Sequence, residues 1–198
     1  SDTITVRGRG VTNGINGDEG RLELLADDSG TNLIRKLNGP TGDSSGLDVM
    51  NVLPTNEVSE SSHLTGNLLT GLNMESQILY LALEVLNIEL NDATSKVIIE
   101  NTHNGETKLT TSGGEDLVEV LATAGPTHIR TGLDRDIVRI QSIGAMMTVR
   151  TGSSSDVVNV GSLAPKTGGL LDGIQGPLSV DGELGDDQLN LDDSGDRS

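Results

Sequence analysis

The chain has no cysteine, phenylalanine or tryptophan, and its one tyrosine is Tyr80. Without cysteine no disulfide staples it and no thiol serves as nucleophile, although that absence does not assign a compartment. Without large aromatics a wide core is excluded, so any interior must be thin and filled by Val, Ile, Leu, Ala and Met. Basic residues are scarce too, 13 Lys and Arg against 30 Asp and Glu, giving a formal charge of −17 and a pI near 4.3. Nucleic acid is gripped by basic side chains that displace counterions from phosphates, and this balance argues against it as a partner. No run approaches the roughly 20 apolar residues of a membrane-spanning helix. No signal-peptide pattern is found either, and a first residue of Ser fits a mature or excised segment.

What the chain does have is repetition. Residues 107–126, 127–146 and 147–166 align without a gap as three blocks of twenty. The third position is Leu109, Ile129 or Val149, the fifth Thr111, Thr131 or Thr151, and the tenth Asp116, Asp136 or Asp156. Two apolar positions follow, Val118, Val138, Val158 and then Val120, Ile140, Val160. Period-two alternation on both sides of a Gly/Asp turn predicts two short strands per block, the second spanning 117–120, 137–140 and 157–160. A fixed period of this size marks a repeat architecture. The expected fold is therefore all-β, a parallel β-helix or β-solenoid with coils of about twenty residues. Equivalent residues would then stack about 4.8 Å apart. Short strands at such spacing also suit β-sandwich repeat modules, which is the rival fold.

The same grammar recurs elsewhere. An acid followed by alternating apolar residues starts at Asp2, Asp48, Glu84 and Asp187, and all four strings read as second-strand grammar. The Asp187 string lies 31 residues after Asp156, so an eleven-residue expansion is expected at about 167–177. Met74–Leu90 is rich in helix formers, yet its alternation predicts strands. The chain divides into an irregular β-repeat region, 1–75, and a regular one, 76–198, continuous with it. The two termini align with the halves of residues 47–70, which suggests a tandem array or copies joined head to tail.

Residues 64–196 resemble the long repeat regions of very large secreted bacterial and algal surface proteins. Here the elements of those regions read LTGLNM (69–74), LEVLNIEL (83–90), TGLDRDIVRI (131–140), LDGIQGPLSVDG (171–182) and GDDQLNLDDSGD (185–196). The resemblance implies an extracellular or cell-surface scaffold. The turns around Asp116, Asp136, Asp156 and Asp187 also resemble degenerate haemolysin-type (RTX-like) calcium repeats. They lack the second glycine, recur at twenty residues instead of nine, and include Arg135 in one turn.

Each tenth-position Asp suits capping of a backbone turn; a stacked carboxylate ladder bridged by a cation is the sharper reading. Calcium is the candidate cofactor. Asp181, Asp186, Asp187, Asp192, Asp193 and Asp196 are the candidate ligands, with Asp27 and Asp28 a smaller set, because calcium takes six to eight oxygens. Leu117, Ile137 and Val157 point away from the inner row of the second strand, and such an apolar row suits a covering layer or subunit. Glu119 and Arg139 are placed to pair between coils. Lys108, His128, Arg130 and Arg150 form a stripe on the outward side of the first strand. His63, His103 and His128 lack any nucleophile motif, so no enzyme is expected. The expected function is a structural module of an extracellular filament or giant surface protein, self-associating head to tail. The alternative is a calcium-dependent adhesin that binds a surface polysaccharide.

Overall fold

The computed structural model describes residues 3–7, 15–16, 22–25, 37–38, 49–53, 60–72, 77–81 and 83–197. These residues form eighteen strands and no helix. The first eight are β1 (Thr3–Arg7), β2 (Ile15–Asn16), β3 (Leu22–Leu25), β4 (Leu37–Asn38), β5 (Val49–Leu53), β6 (Glu60–Leu64), β7 (Leu68–Gly71) and β8 (Gln77–Leu81). Then follow β9 (Val85–Glu89), β10 (Ser95–Ile99), β11 (Glu106–Thr110), β12 (Leu117–Val120), β13 (Thr127–Gly132) and β14 (Ile137–Ile140). The last four are β15 (Met147–Gly152), β16 (Val157–Val160), β17 (Leu178–Asp181) and β18 (Gln188–Leu191).

Two sheets take up all of them. The first runs β17-β15-β13-β11-β9-β5-β1-β3 and the second β18-β16-β14-β12-β10-β6-β7-β8-β4-β2. From β9 onward the chain alternates between the sheets, leaving one strand in each before it returns. Leu109 pairs with Ile129, and Ile129 with Val149; in the second sheet Val118 pairs with Val138, and Val138 with Val158. These pairs are parallel and twenty residues apart, as the aligned blocks require. Among the described residues antiparallel pairing is confined to β6–β7 and β7–β8. Two reversals cancel, so β8, β4 and β2 run in the same direction as β6.

The thin interior expected from composition is present. Leu86, Leu109, Ile129 and Val149 from the first sheet meet Val97, Val118, Val138 and Val158 from the second, all buried. Burying each such aliphatic side chain contributes about 1.5–3 kcal/mol. Because the column is one side chain deep from each sheet, branched residues fill most of it, with Tyr80 the one aromatic of the core.

The segment with helix-forming composition is extended, as β8 and β9. Packing overrides propensity here: Ile78, Tyr80, Leu86 and Ile88 are buried at alternate positions. The four acid-led strings divide differently from expectation. The Asp187 string enters the second sheet as β18, but those at Asp2, Asp48 and Glu84 form β1, β5 and β9 of the first. Alternation after an acid is common to both sheets, so the string alone does not choose between them. The eleven-residue expansion lies between β16 and β17 and leaves the register intact, with Met147 beside Leu178.

Candidate functional site

Two features of the stack bear on function: a column of aspartates along its inside corner, and the face presented by β17 and β18.

The aspartate column arises because each Asp enters a strand of the second sheet from the turn that crosses between sheets. The Asp116 Oδ1 accepts the backbone N–H of Ser95 at 2.7 Å. Asp136 Oδ1 accepts from Asp116 N–H and Asp156 Oδ1 from Asp136 N–H, both at 2.8 Å. Asp187 Oδ1 accepts from Asp156 N–H at 3.0 Å. Each aspartate therefore binds a backbone N–H, as a turn cap would, but on the preceding coil, so the side chain joins layers. Burial pushes the Asp116 carboxyl up to about 7 and that of Asp136 up to about 6, with neighbouring carboxylates adding to the rise. Burial also raises Asp156, and Asp187 adds to it.

A second column runs beside it. The Thr111 hydroxyl donates to the Thr131 carbonyl and Thr131 to that of Thr151, each at 3.0 Å, and Thr151 donates to Gly182 at 3.3 Å. The fifth-position Thr was visible in the alignment, but its role was not: a repeating hydroxyl on a strand reads equally as a solvated position.

The face at β17 and β18 is built from the last described layer. β17 pairs with β15 and β18 with β16, and among the described residues neither has a strand on its other side. Leu189 and Leu191 stand in register with Val158 and Val160. Those two valines are 3% and 2% exposed, whereas Leu189 and Leu191 are 50% and 60% exposed. Leu184 is likewise exposed. Interior positions of the column thus emerge uncovered.

The six candidate metal ligands are spread over several jobs. Asp187 holds Asp156 N–H, and Asp181 accepts Glu183 N–H at 3.2 Å. Asp192 Oδ2 accepts Gly169 N–H at 2.6 Å and its Oδ1 accepts the Ser194 hydroxyl, also at 2.6 Å. Asp193 Oδ1 accepts Leu171 N–H at 2.9 Å. The backbone N–H of Asp196 donates to the Asp193 carbonyl, and Asp186 is exposed in the turn before β18. Among the described residues no group of three or more His, Asp or Glu converges as a metal would need. Asp27 and Asp28 lie outside the described residues.

Leu117, Ile137 and Val157 are half-buried on the outer side of the second sheet, side by side in successive strands. The Glu119–Arg139 pair forms at 2.8 Å, and Lys96 approaches the other Glu119 oxygen at 3.1 Å. On the outward side of the first sheet, Lys108, His128, Arg130 and Arg150 line a shallow groove of about 640 Å³. Glu106 there serves both Lys108, at 2.8 Å, and His128, at 3.2 Å. The three histidines stand apart, His63 against Glu100, His103 against Thr107 and Tyr80, and His128 against Thr148 and Glu106. No helix of the described residues is long and apolar enough to cross a membrane.

No protein-family model, no curated protein and no solved structure matches this chain.

Proposed function

We propose that the chain is a structural module of an extracellular filament or giant surface protein, a parallel β-solenoid that associates head to tail with copies of itself. The observation that carries this reading is the exposure of Leu189 and Leu191 at positions that β10, β12, β14 and β16 bury. An apolar face flanked by two open strand edges is a template for one more layer. A second copy supplies such a layer in the right direction. The outer strands at the far ends of the two sheets, β3 and β2, run parallel to β17 and β18 respectively, so translation along the axis continues both sheets without a reversal. Contacts of this head-to-tail kind do not close and therefore grow into fibres.

Sedimentation velocity and electron microscopy of the purified chain test the reading. Concentration-dependent linear oligomers are expected, and Leu189→Asp with Leu191→Asp should return the chain to monomer while leaving its far-ultraviolet circular dichroism unchanged. Monodisperse monomers at every concentration, or fibres indifferent to the double substitution, would overturn it.

A further inference from the structure

Asp116, Asp136 and Asp156 are 2%, 0% and 1% exposed, and in each the second carboxylate oxygen, Oδ2, is buried without a hydrogen-bond partner. A buried ionised oxygen with nothing to bind is costly, and the usual escape is neutralisation. Three of them about 4.8 Å apart also repel one another. The charged groups that act on the column are all acidic. They are Asp136 and Asp134 at Asp116, Asp156 and Asp134 at Asp136, and Asp187 at Asp156. Among the described residues no Lys, Arg or His acts on them.

The neighbouring hydroxyls do not solve the problem. Thr111, Thr131 and Thr151 lie beside the three carboxyls and offset part of the rise that burial causes, but each directs its proton to a carbonyl of the next coil. What each Thr oxygen still offers is a lone pair. One added proton per rung neutralises the buried Oδ2 and gives it a hydrogen to share with the Thr oxygen beside it.

We propose that the aspartate column is a proton-binding site, in which buried rungs are held as neutral carboxylic acids that donate to the threonine column, so that coil stacking takes up protons and mild acid tightens the stack. This stands on the interior of a single chain and is independent of end-to-end association. The sign follows from the direction of the shifts. The folded-state carboxyls of Asp116 and Asp136, at about 7 and about 6, lie above their ordinary value of 3.8. Their contribution to stability is therefore full below about pH 4 and is lost as pH rises through about 6 and then about 7. From about pH 4 up to those values, each rung that keeps a proton the unfolded chain has released lowers the folding equilibrium constant up to about tenfold per pH unit, and the loss levels off once the folded rung ionises.

Carboxyl carbon NMR titration of the full chain, with equilibrium denaturation at about pH 5 and about pH 7.5, tests this. Asp116 and Asp136 should titrate well above the surface carboxylates. The wild-type denaturant midpoint should fall between the two pH values. Asp136→Asn, which keeps an acceptor oxygen and supplies an N–H in place of Oδ2–H, should narrow that gap. Asp172→Asn, which removes an exposed charge in the loop before β17, should not. If Asp116 and Asp136 titrate together with the surface carboxylates, or the two variants change the gap equally, the proposal is wrong. Should Asp136→Asn fail to fold, the wild-type titration alone decides.

Discussion

At Gly132 and Gly152 the backbone leaves the first sheet with φ of +103° and +96°. A Cβ at Gly132 would overlap the carbonyl oxygen of Ser112, and one at Gly152 that of Gly132, each a layer earlier. Two requirements coincide, a left-handed φ and room for a close approach between layers, and glycine meets both. Gly132→Ala is expected to cost at least about 1–2 kcal/mol from backbone strain alone, with the carbonyl overlap added. Chemical denaturation should show the loss, and a neutral outcome would mean that the corner relaxes without disturbing the stack. The same economy governs the aspartates. Asp136 was legible as a turn residue from its position after Gly132, but its partner was not. The N–H it binds belongs to Asp116, twenty residues away, and a single sequence records spacing without recording which layer a side chain reaches.

The strands themselves were largely legible. Alternation bounded β12, β14 and β16 to the residue, because a buried row of Val and Ile between turn residues leaves little choice of register. The sheet membership of β5 and β9 was not legible, since their acid-led strings occur in both sheets. Neither was the part played by the acidic turn at 192–196. Its carboxylates reach back to the loop that carries the eleven-residue expansion, where Asp192 takes Gly169 N–H and Asp193 takes Leu171 N–H. Leu171 and Ile174 of that loop pack against the interior, so the turn holds an apolar flap in place. The Ser194 hydroxyl, with the Gly169 N–H, keeps the Asp192 carboxyl below its ordinary value. Asp192→Ala should raise hydrogen exchange at Gly169 and Leu171 while leaving β14 and β16 protected. Unchanged exchange at Gly169 would show that the loop is held by its apolar contacts alone.

From β15 back to β1 the spacing between successive paired strands of the first sheet widens. Val149 lies twenty residues after its partner Ile129, Leu109 twenty-one after Ile88, and Ile88 thirty-six after Val52. The division drawn from sequence falls at residue 75. The sheets themselves continue across it, through β5–β9 and β6–β10. Stacked layers touch chiefly their neighbours, and such arrays can open piecewise as well as all at once. A longer stretch of chain between paired strands raises the entropy lost on bringing them together, though only slowly with length. Insertions in one layer therefore leave the register of the next intact, as the 31-residue step to β17 demonstrates.

Tyr80, the one aromatic residue of the chain apart from its histidines, gives this layering an experimental handle. It is 1% exposed, its hydroxyl donates to the Thr65 carbonyl at 2.7 Å, and its ring meets His103 edge-on at 5.9 Å between centroids. Intrinsic fluorescence therefore reports on the neighbourhood of β7 and β8 and on nothing in the four most regular layers, while circular dichroism averages over every strand. Recorded together during heating, the two signals should separate, the tyrosine transition coming first, if the longer-looped layers are the weaker. Superimposed curves would instead make the molecule a single cooperative unit. Without adding a label, the chain distinguishes its own two halves by light.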